Sequence, residues 1–597
     1  MKTKNKKKRI APAFKSFYPV LIMILCLFMG VGYAAVNSVN LTIAGDIIAM
    51  ELDDVVVTDI SYKESSYATL DSSNVSVVSK TVLNSNIALS STNSNSYITY
   101  TVTVLNTNTY DCFYNGAVFD SEFYDNQNIV FELSDNMIEG MFLKAGESLS
   151  FDIKFKYKDG VTPNSSINKL NAYINIDFPA VAVLQATAPD DRTTFRTQAY
   201  RENIKIINFE DKINVPSNVV DSWDIGVSQT GNVMAYLVTN ESDSNYYDLY
   251  IQSDTKLYAN EDMGSWFRDF QNVDAINGLD VLDTSNTIDM QYMFNYTGFN
   301  STIFTLDVSG FDTSNVTNMK YMFCKTGANS TVFTLDISNF DTSNVTDMSR
   351  MFYYTGDLST TFELDVSNFD TSKVTDMAKM FHHTGSTSPI FSLDVSNFDT
   401  SKVTTMLEMF YGTGYSNSNF KLDVSNFDTS NVIDMSGMFY NVGRKSTEFS
   451  LDVSNFDTSK VTDMSYMFYY VGYTDKSFIL DISNFDTSNV IDMSGMFYRT
   501  GYNSTIFNVD LSSLDTSKVT NTYRMFYNTG YNSTKFNTSF TIRNPNITSY
   551  EEMFLNAAPT TGSKITVNYT SETSDLVDLM IATKSESSNV VKGTLVS

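Results

Sequence analysis

The sequence predicts a multidomain protein in which a β-sandwich precedes an α/β solenoid, with one parallel strand and one short helix in each solenoid unit. Three observations support this fold class. A phrase of 29 residues recurs through the second half of the 597-residue chain, apolar and polar residues alternate with period two before it, and apolar residues make up 42% of the composition. The repeat predicts stacked units, the alternation predicts half-buried strands, and the apolar content is enough for a folded chain.

The first 36 residues are typical of an export segment. A basic run ends at Arg9, an apolar stretch spans 20–29, and Gly32 to Ala34 offers a small-x-small cleavage site. The apolar segment extends over 19–36, which barely reaches the length needed to span a membrane. Residues 1–36 are therefore either a cleaved signal peptide or an uncleaved N-terminal anchor, and in both cases the chain leaves the cytoplasm.

The charge of the chain limits its partners. Formal net charge is −28, and the first 34 residues carry seven basic and no acidic side chains, which leaves −35 on the remainder. Such an acidic body repels nucleic acid and anionic lipid, so we predict no nucleic-acid partner and no membrane contact beyond residues 1–36. Outside that segment only Cys112 and Cys324 occur, in different domains, so no disulfide framework is expected.

Residues 37–178 are predicted to form an antiparallel β-sandwich of immunoglobulin-like kind. Apolar and polar residues alternate over 98–104, 149–157 and 170–178, with Asn, Ser and Gly turns between these runs. A mixture of Ala, Pro, Thr and Asp predicts a linker, and the terminal coils of a solenoid need caps to cover their cores. The predicted linker covers 179–194, the N-terminal cap of the solenoid 195–277, and the C-terminal cap 557–597.

Residues 278–556 contain ten units, each predicted to fold as a strand, a turn and a short helix. In one unit Phe304, Leu306 and Val308 alternate with polar residues, as in a strand with one buried face. Later, Val316, Met319, Met322 and Phe323 fall at i, i+3, i+6 and i+7, which predicts one stripe of a helix. Gly327 and its equivalents would end that helix in the left-handed conformation.

The repeated phrase resembles that of a known family. Leu-Asp-Val-Ser-Asn-Phe-Asp-Thr-Ser-Asn/Lys-Val-Thr-Asp-Met-x-x-Met-Phe, found at 364–381 and 451–468, is similar to the phrase of the BspA-type leucine-rich repeat surface proteins. The likeness covers about half of the chain. It implies leucine-rich-repeat-like units in an exported bacterial adhesin that binds host matrix protein, glycan or another cell. The N-terminal region also resembles exported Gram-positive proteins, which implies a secreted or surface location on such a bacterium.

Two sets of repeated side chains are candidates for a site. The first is a row of tyrosines directly after a buried Phe, predicted to be exposed and to offer aromatic contact area to a partner: Tyr353, Tyr411, Tyr440, Tyr469, Tyr498 and Tyr527. The second is a column of outward carboxylates, which either bind calcium or are satisfied by nearby Ser and Thr groups: Asp307, Asp336, Asp365, Asp394, Asp423, Asp452, Asp481 and Asp510. His382 and His383 replace tyrosines of other units and have poor geometry for one metal.

The function predicted from these features is binding without chemistry. The chain has no Ser-His-Asp arrangement, no metal-ligand spacing and no phosphate-binding glycine loop, so we expect neither an enzyme nor a cofactor. The expected partner is an extracellular protein or glycan, held by many weak contacts along the solenoid. Two alternatives stay open, namely a structural subunit of a surface layer or biofilm fibre, and a cell-wall glycosidase that uses carboxylates alone.

Overall fold

The structure is a computed structural model that describes residues 201–596 continuously and twelve shorter segments before them. Those segments are 40–41, 55–64, 68–70, 76–78, 82–89, 95–108, 110–114, 116–119, 129–138, 141–160, 167–176 and 181–186. The chain divides into two compact units, Met1–Val181 and Ala182–Ser597. The predicted export segment and its apolar stretch, 19–36, lie outside the described residues.

The first unit consists of antiparallel sheets. Its strands are β1 (Asn40–Leu41), β2 (Val55–Glu64), β3 (Ala68–Leu70), β4 (Ser76–Val78), β5 (Val82–Leu89), β6 (Tyr97–Asn106), β7 (Cys112–Phe113), β8 (Ala117–Phe119), β9 (Ile129–Leu133), β10 (Phe142–Leu143), β11 (Ser148–Tyr157) and β12 (Ile167–Ile176). The larger sheet has the order β1-β4-β5-β12-β8 with β3 beside β5, and the second has the order β2-β6-β11-β9. As the alternation predicts, Ile98, Tyr100, Phe151 and Ile153 are buried and their sequence neighbours are more exposed.

The second unit is also built mainly from strands, and most of them pair in parallel. They are β13 (Ala182–Val183), β14 (Ile204–Glu210), β15 (Val219–Asp224), β16 (Met234–Thr239), β17 (Tyr247–Gln252), β18 (Leu257–Tyr258), β19 (Ala275–Asn277), β20 (Leu282–Asp283), β21 (Ile303–Asp307), β22 (Val332–Asp336), β23 (Ser477–Leu480), β24 (Ile506–Val509), β25 (Asn537–Ile542), β26 (Lys564–Tyr569) and β27 (Val590–Leu595). One α-helix, α1 (Ser574–Ile581), lies between β26 and β27.

Parallel pairing puts equivalent residues of successive 29-residue units side by side. Ile303 pairs with Val332, Asp307 pairs with Asp336, and strands β23 and β24 pair in the same register. The N-terminal cap extends the same sheet, in the order β15-β16-β17-β14-β19-β21-β22. A second column of parallel bridges runs through every coil from Asp262 to Ser549. The units therefore stack as coils of one solenoid.

The predicted helix in each unit is wrong, and with it the α/β assignment of the solenoid. Residues 278–556 contain no α-helix, and α1 lies after them in the C-terminal cap. In the unit that begins near Phe304, the Tyr321 N–H donates to Ser349 O of the next coil at 3.0 Å, whereas the Met322 N–H closes a turn onto Met319 O at 3.1 Å. This alternation continues through Thr326, so the segment is a run of β-turns whose alternate N–H groups hold the next coil.

Backbone angles explain why these turns do not continue as a helix. Tyr321, Lys325 and Gly327 have φ of 56°, 58° and 55°, in the left-handed region that an α-helix of L-residues excludes. A positive φ at the third residue of a turn is what a type II turn requires. Turns of this kind return side chains to one face every three or four residues, so the apolar spacing of a helix also fits a run of turns.

Stacked phenylalanine rings fill the interior. One stack runs from Phe294 through Phe323 and Phe352, with ring centroids 5.6 and 5.7 Å apart, and a second runs from Phe304 through Phe333. The recurring glycine serves this second stack rather than a helix end. Gly414, for example, has a φ of 59°, and a Cβ there would lie 2.2 Å from a carbon of the Phe420 ring.

Polar side chains, some of them buried, also connect one coil to the next. The Thr326 hydroxyl donates to Phe294 O at 2.7 Å, and the Asn339 amide donates to Ser309 O at 2.8 Å. Equivalent bonds recur in the other units, so threonine and asparagine side chains tie each coil to carbonyl groups of the preceding coil. Cys112 and Cys324 are both buried and no disulfide joins them. No helix among the described residues is long and apolar enough to cross a membrane.

Candidate binding face

The outer aspartate column is satisfied by bonds within each unit. All eight carboxylates, from Asp307 to Asp510, are exposed, and each accepts the N–H of the serine two residues later at 2.9–3.0 Å. Hydrogen bonds from the Ser425 hydroxyl and N–H lower the pKa of Asp423. In the described part of the chain no group of three His, Cys, Asp or Glu side chains could hold a metal ion. The local hydrogen bonds of the second interpretation are therefore present, and calcium binding stays an untested prediction.

A second aspartate column lies half-buried at the parallel bridges, where neighbouring carboxylates repel one another. Asp463 sits between Asp434 and Asp492 of the adjacent coils. Burial raises the pKa of Asp463, and the two neighbouring carboxylates raise it further, although it accepts the Ser465 N–H at 2.8 Å. At the same place in another coil, Asn318 accepts one backbone N–H and donates to Asp289 at 3.0 Å. Asparagine thus removes a repulsion that aspartate retains.

Replacing Asp463 by asparagine is expected to stabilise the protein by about 1 kcal/mol at pH 7. A group whose pKa is raised on folding loses its favourable contribution as pH rises through that pKa, so the gain should be larger at pH 7 than at pH 4. Urea denaturation of both proteins at the two pH values measures this. Asp423→Asn is the control and should show the opposite pH trend, because folding lowers that pKa. A less stable Asp463→Asn protein at pH 7 would disprove the assignment.

The predicted tyrosines lie on the surface of the turn runs, which we call the turn face: residues 319–329 and their equivalents in the other units. Their rings stack on one another along the solenoid. Successive centroids are 4.0–4.6 Å apart, with planes within 27° of parallel. The ladder has seven rings in the order Tyr353, His382, Tyr411, Tyr440, Tyr469, Tyr498 and Tyr527. The structure thus brings all six predicted tyrosines together and adds His382.

The tyrosines are half-buried rather than exposed, because each ring covers the faces of its neighbours. Burial raises the pKa of Tyr353 to about 12 and also raises the pKa of Tyr411 and Tyr440. The ladder therefore presents ring edges and neutral hydroxyl groups to a partner, whereas its aromatic faces are covered by the neighbouring rings.

His382 is a buried member of the ladder. Its ring lies between Tyr353 and Tyr411, at 4.6 and 4.3 Å, and 6% of the residue is exposed. Burial lowers the pKa of His382 to about 4, although Nδ1 lies 3.0 Å from the Glu408 carboxylate. His382 is therefore neutral at pH 7. His383 stacks on Tyr354 at 4.5 Å, so the two histidines belong to adjacent columns.

Cations are interleaved with the aromatic rings of the turn face. Five of the six arginines between residues 261 and 556 lie there: Arg268, Arg350, Arg444, Arg499 and Arg524. Arg350 lies over Tyr321 at 5.0 Å, and Lys325 lies over Tyr296 at 4.6 Å while its ammonium donates to the Tyr296 hydroxyl. Cation–π contacts of this kind hold the charge without neutralising it.

Sequence reasoning found the tyrosine ladder but missed the cations and the neighbouring rings. Tyr470, Tyr473 and Tyr502 complete the aromatic surface, and Tyr473 stacks on Tyr502 at 5.1 Å. The signal was present in the repeat itself. When the units are written in 29-residue register, Tyr415, Arg444, Tyr473 and Tyr502 occupy one column, and side-chain stacking follows from that position alone.

Stacked 29-residue coils, closed by caps and held by parallel bridges, define a repeat protein of the β-solenoid class. The sequence profile of one family matches residues 261–389, 327–447, 357–472 and 441–567, which together cover slightly more than half of the chain. The chain belongs to that family, described as Mycoplasma protein of unknown function, DUF285. Neither a curated protein nor a solved structure matches the chain.

Proposed function

We propose that this is an exported bacterial surface protein without enzymatic activity, which binds an extracellular partner through the turn face of its solenoid. The observation that carries the proposal is the ladder of seven stacked rings with arginine and lysine beside it. Stacking fixes each ring before any ligand is bound, so little side-chain entropy is lost when a ligand binds. The ladder thereby offers a preorganised row of hydroxyls and charges.

Two features of the sequence support export and surface location. Residues 1–36 have the basic, apolar and small-residue pattern of an export segment. The phrase at 364–381 is similar to that of the BspA-type surface proteins, whose members are adhesins. A repeating surface also suits adhesion, because many weak contacts along one face add up when they engage together.

Binding by the purified protein to immobilised matrix proteins and polysaccharides tests the proposal. In a variant with Tyr411, Tyr440 and Tyr469 all replaced by Phe, the stack remains but three central hydroxyls are gone. We expect at least a tenfold loss of affinity for the partner, because each lost hydrogen bond contributes about 1 kcal/mol. The melting temperature should change little.

A control with Tyr247 and Tyr250 replaced by Phe removes hydroxyls from β17 in the cap and should bind as the unaltered protein does. Three results would contradict the proposal. These are equal binding by the triple variant, concentration-dependent polymerisation with no ligand bound, and hydrolysis of a polysaccharide by the purified protein. The second result would favour the fibre subunit and the third the glycosidase.

A further inference from the structure

Two arginines meet at one tyrosine near the C-terminal end of the turn face. The guanidinium carbon of Arg444 lies 3.8 Å from the ring centroid of Tyr470, and that of Arg499 lies 5.2 Å from the same centroid. The two charges are therefore within about 9 Å of each other, the sum of these distances. Lys445 adds a third cation beside them, 5.3 Å from the Tyr415 ring that Arg444 also overlies.

Within residues 201–596 these three cations have no carboxylate partner, since no Asp or Glu oxygen lies within 4.0 Å of Arg444, Lys445 or Arg499. Several other turn-face cations are paired, such as Lys379 with Glu408 at 3.0 Å. Arg499 donates to the Tyr470 hydroxyl at 2.6 Å, and its buried Nε has no hydrogen-bond partner within that range. In a chain with 68 acidic and 40 basic residues, three clustered cations without an acid leave a local positive charge that an anion would neutralise.

We infer that Arg444, Lys445 and Arg499 form an anion subsite that binds the carboxylate or sulfate groups of an acidic polysaccharide. Guanidinium groups bind such groups through two parallel N–H donors, which gives both strength and orientation. Tyr473 and Tyr502 flank the cluster and offer hydroxyl groups to sugar hydroxyls. This inference rests on the proposed function, because it names the class of partner for the same face.

The surroundings favour a polysaccharide over the other polyanions. Nucleic-acid bases need free aromatic faces, but the ladder and the Tyr473–Tyr502 pair are already stacked. Protein interfaces are usually built around an apolar core, whereas the rings of this face present hydroxyls and cations. A polysaccharide supplies hydroxyls and spaced charges, and it can extend along the solenoid so that successive coils meet successive sugars.

Binding of polygalacturonate, dextran sulfate, uncharged dextran and polyglutamate to the purified protein tests the inference. We expect one or both acidic polysaccharides to bind and uncharged dextran to fail. Replacing both Arg444 and Arg499 by Gln should weaken polysaccharide binding at least tenfold, since two charge-assisted contacts are lost. Raising the salt concentration from 50 to 300 mM should also weaken it, because exposed charges are screened.

The control variant replaces Lys373 and Lys460 by Gln. These lysines donate to Asn344 and Asn431 in the preceding coils, outside the turn face, and their loss changes the net charge equally. The control should bind normally. Replacing Arg444 and Arg499 by Lys keeps the charge but loses the two-donor geometry, so this variant should bind more tightly than the Gln variant and less tightly than the unaltered protein if the Gln variant failed through charge and not through misfolding.

Three outcomes would overturn the inference. They are equal binding by the Arg→Gln variant and the unaltered protein, equal binding of charged and uncharged dextran, and tighter binding of polyglutamate than of both acidic polysaccharides. If the triple Tyr→Phe variant loses a partner that the Arg→Gln variant still binds, the proposed function stands and only the anion subsite is wrong.

Discussion

Replacing Phe410 by alanine is expected to lower the free energy of unfolding by about 3–5 kcal/mol. Phe410 is fully buried and lies between Phe381 and Phe439, at 5.8 and 6.0 Å, with the Phe427 ring tilted against it at 6.2 Å. Alanine would leave a cavity. The neighbouring rings cannot move to fill it, because the backbone of the coil to which each ring belongs holds it in place. Since each coil contacts only its neighbours, the weakness is confined to the middle of the solenoid.

Urea denaturation followed by far-UV circular dichroism measures this loss. The matched control is Phe299→Ala, because Phe299 is half-buried at the surface and should cost about 1 kcal/mol, in proportion to the smaller apolar area it removes from water. Limited proteolysis should open the Phe410→Ala protein near the middle of the solenoid first. Equal losses for the two variants would show that the phenylalanine stacks do not hold the coils together.

The stacking of the units could be predicted from the sequence, but the conformation of half of each unit could not. Phe304 and Leu306 alternate with polar residues, and only a strand has that period, so the parallel pairing with Phe333 and Leu335 followed directly. Met319, Met322 and Phe323 have a spacing that helices and runs of turns share. The deciding feature is the left-handed backbone at Tyr321 and Lys325, residue types that give no local sign of it.

The candidate site was predictable to a similar degree. Tyr411 and Tyr440 are separated by 29 residues, so a column of tyrosines followed from the repeat. Their half-buried state did not follow, because a helix would have directed them outward, whereas the turns bring successive rings to 4.1 Å and let them stack. The clustering of Arg444 and Arg499 on Tyr470 depends on side chains that cross between columns, and the repeat alone does not specify such contacts.

Deletion of one whole unit, residues 356–384, is expected to leave the fold and the anion subsite intact. The deletion joins Thr355 to Gly385, and Phe352 would then stack on Phe410 as Phe381 does now. Arg350 would take the place of Lys379 beside Glu408, so the ion pair across that junction has a replacement. We expect a melting temperature within about 5 °C of the unaltered protein and unchanged polysaccharide binding.

Deletion of half a unit, residues 356–369, removes about half as many residues and should nevertheless be far more damaging. The remaining segment lacks the strand-like half with Phe362, so the coil cannot close and the Phe333 and Phe391 rings lose the ring now stacked between them. Because coils bury their apolar faces only against each other, the break should remove cooperative unfolding. Unfolding that spreads from the break to the neighbouring coils should also remove binding at Arg444 and Arg499.

Thermal denaturation of the two deletion proteins, with polysaccharide binding measured in parallel, tests the central claim most directly. The claim is that identical 29-residue coils stack in register and present one continuous turn face. It predicts a cooperative transition and retained binding for the whole-unit deletion, and neither for the half-unit deletion. Equal damage in both proteins would contradict it, because register would then play no part in holding the solenoid or its binding face.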